Sequence, residues 1–416
     1  MISSVRIATL SAEPTETIFP RKPTFLITKA PREWLRASLP KQQEFLKAVN
    51  DHGIDRLTAL QREQEERWEK QTGINPENTH FTVIVPIHNE EKFLPSFLGS
   101  LLIADIPSSV NAYVIFLTNA CSDRSGEIID GFLRTVGGSE ETCMLKHSPD
   151  SAVQKAVITT RTGNITFAHV ETPTPGKANA LNIGNTIAIE LRHRIAMSLD
   201  ANNFVEPDVF RHMFAKAYHA FENPANKTVV FSGMDQHVTK QTKLRVLFDR
   251  GRDVHNSIRN DEQFVNGWCM SWDTLWLQEI GGMPQVAVED YALSVYARKD
   301  GKKTERVTEA KIWGYNPNNI TDLIEQRARK IRGAYQILGT HPTLKHSIGI
   351  DIYVLQEPVS KLRTLKELVQ ANPLNLPYYL ADLAVWEYAK QQGRRDYSRD
   401  PINQSWKPIN STKGSF

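Results

Sequence analysis

Between about residue 80 and residue 232, short β-rich runs alternate with helical segments, and nothing else in the chain constrains its fold as strongly. The runs are 82–87, 112–118, 165–170, 194–199 and 228–232; the helical segments between them are 92–103, 125–136, 177–191 and 207–221. A strand that returns to the same sheet after a helix must cross over, so its strands run parallel and its helices cover the faces. The expectation is an α/β fold with a Rossmann-like, mostly parallel sheet and helices on both faces. Such sheets bind ligands beyond the carboxyl ends of their strands, so the polar residues that follow these runs are where chemistry is sought.

The flanks differ. Residues 1–30 are rich in Pro and Thr with little periodicity and read as an extended arm. From 31 to 73 apolar side chains recur at helical spacing (Trp34, Leu35, Leu39, Phe45, Leu46, Val49, Leu57, Leu60, Trp68), with Gly53 and Gly73 as stops. After Thr340 the pattern is again helical, over 359–370 and 377–392. Residues 1–79 are thus expected to form an arm and helical extension, 80–340 the main domain, and 341–416 a C-terminal helical extension. A structural brace is the expected role of the N-terminal addition.

With 40% apolar and 23% charged residues among 416, the chain can bury a sizeable core and is not broadly disordered. Fifty basic side chains oppose 47 acidic ones without a block of like charge, which argues against a dedicated nucleic-acid binder. Cys121, Cys143 and Cys269 lie far apart with no CxxC pair, so neither a disulfide framework nor a cysteine zinc site is expected, and a reducing compartment fits. No run approaches the roughly 20 apolar residues of a membrane span. The charge-free stretch 106–122 contains Pro107, Ser108, Ser109, Asn111 and Asn119 and reads as a turn feeding a strand. No apolar segment of signal-peptide length precedes Glu13 and Pro14. The reading is a soluble, cytoplasmic protein, compatible with peripheral membrane contact. Its oligomeric state is left open.

The first strand ends Pro86-Ile87-His88-Asn89-Glu90, which puts Glu90 at the carboxyl edge, where it can accept from ribose hydroxyls. An acid opening a helix also has an ordinary dipole explanation. The second ends Thr118-Asn119-Ala120-Cys121-Ser122-Asp123; Asn119 can read a base edge, while Ser122 or Asp123 caps the next helix. In Pro175-Gly176-Lys177 a glycine turn feeds a helix whose first turn carries a lysine, an arrangement suited to a diphosphate although no Walker loop is present. Asp200 and Asn202 follow the fourth strand at i and i+2 and can turn to one hard cation; a simple turn pair explains them equally well. Further on come Gly267-Trp268, then Gly281-Gly282, then Glu289-Asp290 opening a helix, and the basic helical stretch 325–333, which taken alone is a solvated face. Arg245, Arg250, Arg252 and Arg259 are read as an ordinary charged helix, with contact to acidic lipid headgroups or an anionic acceptor as the other reading.

Each segment is ambiguous alone; their order is not. VPIHNE (85–90), NACSDRS (119–125), PGKANALN (175–182), LDAN (199–202), GGMP (281–284), Glu289-Asp290 and QRARKIRG (326–333) form a series that resembles the family 2 glycosyltransferases of the GT-A fold over about residues 80–340. The resemblance implies transfer of one sugar, with inversion, from a nucleotide-sugar donor. By position it implies that Pro86, Glu90 and Asn119 line the nucleoside pocket and that Lys177 lies near the donor. Asp200 with Asn202 stands at the DxD metal site for Mg²⁺ or Mn²⁺, and Gly267 and Trp268 lie at the donor–acceptor junction. Asp290 is the general base with Glu289 beside it, and Gln326, Arg327, Arg329 and Arg332 correspond to the QRxRW region by the diphosphate. A UDP-sugar is the favoured donor; the acceptor is a small molecule, a lipid-linked intermediate or a polypeptide. The chemistry is consistent with this, since an attacking hydroxyl must shed a proton and a leaving diphosphate gains charge.

Three positions depart from the family pattern. Asn202 replaces the second metal-site acid, Thr118-Asn119-Ala120-Cys121 replaces the frequent Asp-Asp-Gly-Ser, and Lys330 replaces the aromatic of QRxRW. The last removes the stacking surface of processive polymer synthases. The alternative reading is a nucleotide-sugar-binding scaffold or regulator without catalysis. A nucleotidyltransferase is disfavoured because no glycine-rich triphosphate loop follows the first strand.

Overall fold

The structure is a computed structural model that describes residues 79–102, 104, 106, 110–135, 155–162, 165–223, 225–238, 265–315, 317, 319–342 and 376–402. The expected N-terminal arm and helices, Cys143, the arginine-bearing stretch 245–259 and the helix expected over 359–370 lie outside these residues.

In chain order the elements are β1 (Thr79–Ile87), α1 (Leu94–Leu102), β2 (Val110–Asn119), α2 (Ser125–Thr135), β3 (Lys155–Thr162), β4 (Ile165–Thr172), α3 (Lys177–Glu190), β5 (Ile195–Leu199) and β6 (Phe204–Val205). There follow α4 (Val209–Glu222), β7 (Thr228–Val238), β8 (Cys269–Asp273), α5 (Thr274–Glu279), α6 (Glu289–Lys299), β9 (Lys303–Tyr315), α7 (Ile320–Thr340) and α8 (Leu376–Arg399). The strands form one sheet in the order β3-β4-β2-β1-β5-β8-β7-β9-β6. Its centre, β4-β2-β1-β5, is parallel as the alternation requires.

Both faces of this centre are covered, so its strands are buried on both sides and mostly apolar rather than alternating. On one face Phe81, Val83, Val85, Ile87, Val114 and Phe116 meet α1, α2 and α4. On the other, Ile84, Ile115 and Leu117 meet α3. Phe116 stacks on Phe167 at 5.9 Å, and Phe132 of α2 stands edge-on to both, which keys the helix to the sheet. Pro86 lies within β1, opposite Leu117, and the strand continues to Ile87 instead of breaking at the proline. Pairing of β1 with β5 ends at Ile84–Ser198, leaving room beyond it for a residue that has no N–H.

Beyond β5 the sheet becomes mixed. β8, directly after Gly267-Trp268, runs antiparallel between β5 and β7. β9 runs parallel to β7, but its register slips so that Gly233 faces Val307 while Met234 faces Lys311. That bulge carries the buried positions from Val307 to Ala310 and Ile312, which hides the strand's period in the sequence.

At the opposite, amino end of the sheet, His193 stacks on His80 at 5.3 Å and its Nδ1 pairs with the Thr82 hydroxyl at 2.8 Å. Burial, with a further contribution from His80, lowers the His193 pKa to about 4. A histidine whose folded pKa is depressed contributes stability that is full above its ordinary value and is lost as pH falls toward the folded one. The melting temperature is therefore expected to drop between pH 6.5 and 4, and less steeply in His193→Gln, as measured by calorimetry in matched buffers.

Candidate active site

The carboxyl ends of β1 and β2 are locked to each other by short polar side chains. Asn89, at φ 56°, accepts from the backbone N–H groups of Ser122 and Asp123. Asp123 in turn accepts from the N–H groups of Glu91 and Ser125, and Ser125 Oγ accepts from the N–H of Glu90. Asp123 therefore ties both turns together besides capping α2. Glu90 is buried at this edge, and its carbonyl accepts from Phe93 and Leu94 as the chain enters α1.

Asn119 is 3% exposed. Its amide donates to the Ile87 carbonyl at 3.1 Å and accepts from Gly176 N–H at 3.3 Å. Both ends of the side chain are thus engaged with backbone, so Asn119 positions the glycine turn before α3. Gly176 has φ 117°, a conformation that suits only glycine, and α3 begins at Lys177 with no side chain capping its N–H groups.

Lys177 is the hub. Its Nζ contacts Asp200 Oδ1 at 2.7 Å, Glu289 Oε1 at 2.9 Å and the Gly267 carbonyl at 3.0 Å. Three acceptors thus meet the three hydrogens of one ammonium. Gly267 N–H donates to Asp290 Oδ2 at 2.9 Å, and the Asp200 N–H donates to the Trp268 carbonyl at 3.0 Å. Four elements distant in sequence (α3, the end of β5, the Gly267 loop and the start of α6) are joined at one point. A Cβ on Gly267 would lie 3.0 Å from Asp290 Oδ2 and 3.2 Å from Lys177 Nζ, so glycine is what lets the loop pass between them.

Two of three neighbouring carboxylates touch one ammonium, and Arg329 and Lys330 act on the group from α7. Burial opposes the charge on Lys177, but Asp200 and Glu289 outweigh it and hold its pKa well above the usual lysine value. Burial raises the Asp200 carboxyl despite Lys177. Within the adjacent pair, burial and the negative charge of Glu289 raise Asp290, while Lys177 overcomes burial to lower Glu289. Glu289 is thus the partner kept ionised, and Asp290 the one with raised proton affinity.

Asn202 follows Asp200 in a turn closed by the Asn203 N–H on the Asp200 carbonyl at 3.1 Å, and is half-buried. One carboxylate and one amide carbonyl are hard oxygen donors of the kind Mg²⁺ or Mn²⁺ takes alongside substrate phosphate oxygens. Among the described residues no cluster of three His, Cys, Asp or Glu forms a metal cage. This donor set fits a shared protein–substrate cation.

α7 packs against the entry to α6. A Cβ on Gly333 would strike Val288 at 2.2 Å, and Gln336 accepts from Ala287 N–H at 2.8 Å, so α7 grips the loop that delivers Glu289 and Asp290. Asn182 holds the same loop further back, accepting from Met283 N–H at 2.6 Å and donating to its carbonyl at 3.2 Å. Neither Asn182 nor Gln336 was singled out from sequence as a site residue; the Asn of PGKANALN was the available signal for the first. Arg329 is half-buried; burial lowers its pKa, opposed by Glu289, Asp290 and Asp200, which it faces. Arg332 acts on Arg329 from the same helix, and Gln326 is half-buried one turn before Lys330.

Arg327 goes elsewhere. Its guanidinium donates to the Asp382 carbonyl at 3.1 Å, pairs with the Asp382 carboxylate and lies 4.6 Å over the Trp386 ring, both residues being on α8. The expected placement of Arg327 by the diphosphate is corrected, because a guanidinium this buried needs its carboxylate and the C-terminal helix supplies it.

The described sheet and helices have the arrangement of the GT-A glycosyltransferases. Residues 76–333, more than half of the chain, match the family model described as glycosyltransferase like family 2; the protein belongs to that family and is a glycosyltransferase. No curated protein sequence matches it. Similar solved structures include the mannosyltransferase PcManGT from Pyrobaculum calidifontis in complex with GDP-Man and Mn²⁺, at 19% identity over 83% of this chain and 89% of that one, with a TM-score of 0.44. S. aureus TarS 1–349 in complex with UDP-GlcNAc is 14% identical over 76% of this chain and 92% of that one, with a TM-score of 0.38. Among the described residues no helix is long and apolar enough to cross a membrane.

Lys177→Met would leave Asp200, Glu289 and Asp290 without their common cation. It is expected to cost about 3–5 kcal/mol at neutral pH, measured by denaturant unfolding. Carboxylates left with raised pKa values take up protons on folding, so the deficit should shrink as pH falls toward 5. Asp382→Ala removes the carboxylate paired with the buried Arg327 and is expected to cost roughly 2–4 kcal/mol on the same assay.

Proposed function

We propose that the protein moves one hexose from a nucleotide sugar, with UDP-sugars the favoured class, to an acceptor hydroxyl with inversion at the anomeric carbon. The single observation that carries this reading is Asp290: a carboxylate of raised proton affinity, held 2.9 Å from Gly267 N–H beside the Lys177–Asp200 contact. In the reaction the acceptor oxygen forms a bond to the anomeric carbon as the bond from that carbon to the diphosphate breaks. The electron pair leaves with the nucleotide diphosphate, and the acceptor proton passes to Asp290.

The uncapped start of α3 and the guanidinium groups of Arg329 and Arg332 are the groups suited to the charge on the leaving diphosphate. Asp200 and Asn202 would hold Mg²⁺ or Mn²⁺, which when bound neutralises part of that charge. Lys177 keeps Glu289 ionised and holds Asp200 in place. Trp268, half-buried behind Gly267, backs the junction of donor and acceptor. With a lysine at 330, single addition to a small, lipid-linked or polypeptide acceptor fits better than processive polymerisation. Residues 80–340 are the catalytic domain in this reading, and α8 is a brace on α7.

The test is release of nucleotide diphosphate from a panel of UDP-, GDP-, dTDP- and CMP-sugars with Mg²⁺, Mn²⁺ or chelator, with the product anomer read by NMR. Asp290→Asn is expected to lower turnover by roughly 10²–10⁴-fold while donor affinity by calorimetry stays within a few-fold. In the wild type, turnover should rise with pH through the Asp290 pKa, which lies above the ordinary 3.8. Near-wild-type turnover in Asp290→Asn would remove Asp290 as base. Donor binding with no turnover on any acceptor would instead favour a scaffold.

A further inference from the structure

Lys177 and a divalent cation would compete for the same carboxylate. Mg²⁺ or Mn²⁺ takes oxygen ligands, carboxylates above all, at about 2.1 Å, and of Asp200 and Asn202 only Asp200 carries charge. The Lys177 Nζ lies 2.7 Å from Asp200 Oδ1. Its other two acceptors, Glu289 Oε1 at 2.9 Å and the Gly267 carbonyl at 3.0 Å, belong to α6 and to the loop before β8. The ammonium therefore stays beside Asp200 even when that one bond is given up. Asp200 is fixed as well, since its N–H donates to the Trp268 carbonyl and its own carbonyl accepts from Asn203 N–H. A cation on either oxygen of this carboxylate would stand within a few ångströms of a tethered positive charge.

Two further features make that repulsion count. The pair is largely enclosed, with side-chain exposures of 21% for Lys177 and 18% for Asp200, so water and salt screen it poorly. No surplus of negative charge offsets it either. Asp200, Glu289 and Asp290 are opposed by Lys177 and, from α7, by Arg329 and Lys330. A divalent cation arriving alone would add two positive charges to a balanced group. A nucleotide diphosphate brings negative charge and oxygen ligands of its own, which Asp200 by itself does not supply.

We propose that Lys177 makes cation binding conditional on the nucleotide diphosphate, favouring entry of the two together over entry of the metal alone. This rests on the reading of Asp200 and Asn202 as the cation's ligands. By linkage, the factor by which the nucleotide strengthens metal binding equals the factor by which the metal strengthens nucleotide binding. The same repulsion acts after transfer, so the cation leaves with the diphosphate.

The test needs no turnover. Mn²⁺ alone is titrated into the full chain and the free ion is counted by electron paramagnetic resonance. Binding of UDP, or of GDP if UDP does not bind, is measured by calorimetry with and without Mn²⁺ and corrected for the Mn²⁺–nucleotide complex that forms in solution. In the wild type Mn²⁺ is expected to strengthen nucleotide binding at least about tenfold. Lys177→Met and Lys177→Gln should bind Mn²⁺ alone at least about tenfold more tightly than the wild type. Lys177→Arg, which keeps the charge, should not, and adding Asp200→Asn to Lys177→Met should abolish the gain.

Wild-type protein that binds nucleotide equally well with and without Mn²⁺, while taking up Mn²⁺ alone, overturns the proposal and requires no folded variant. So does an unchanged Mn²⁺ affinity in Lys177→Met and Lys177→Gln, or a gain that survives Asp200→Asn. If the wild type binds nucleotide but takes up no Mn²⁺ with or without it, the cation reading of Asp200 and Asn202 fails and this proposal falls with it. Joint binding of Mn²⁺ and nucleotide that is indifferent to Lys177 sinks this proposal alone.

Discussion

The site depends on one ammonium group. Lys177 holds Asp200, Glu289 and the Gly267 carbonyl at once, and Gly267 carries Asp290 on its other side. Carboxylates gathered this closely repel one another and resist burial; a shared, largely enclosed cation is what makes their convergence stable. The surrounding backbone reinforces it. Val265 N–H donates to Ser294 Oγ, which donates to the Asp290 carbonyl, so the loop before β8 and the first turns of α6 move as a unit.

That arrangement also separates roles between two adjacent acids. Glu289 and Asp290 share a helix start, where the dipole favours both. Only Glu289 touches Lys177, and the charge it keeps raises the proton affinity of Asp290. A neighbouring pair with pKa values pushed in opposite directions is how one site can keep a fixed anion next to a proton acceptor. α7 then sets where this pair stands, through Gly333 against Val288 and Gln336 on Ala287. α8 holds α7 from behind through Arg327, Asp382 and Trp386. A segment past the end of the family match at residue 333 thus supports the helix that positions Glu289 and Asp290.

Much of this was legible in the residues. The mostly apolar runs of β1, β2 and β5 marked a buried parallel centre, because strands covered on both faces have no solvent-facing side. The glycine turn before Lys177 and the acid pair opening α6 marked strand and helix ends where polar groups converge. β8 and β9 were missed for definite reasons. β8 is five residues long and follows a glycine loop, and β9 carries a bulge that breaks its two-residue period. Asn119 had the composition of a reading residue, but nothing in its neighbours revealed that both ends of its amide would be taken by Ile87 and Gly176.

The amino-acid pattern by itself determined the class of fold and the order of the motifs, since both follow from local periodicity and spacing along the chain. Which of those residues meet was decided only in three dimensions. Lys177 and Glu289 are far apart along the chain and bond at 2.9 Å; Arg327, two residues from Arg329, points the other way. Position on a helix assigns a direction, but what lies in that direction depends on how the elements pack.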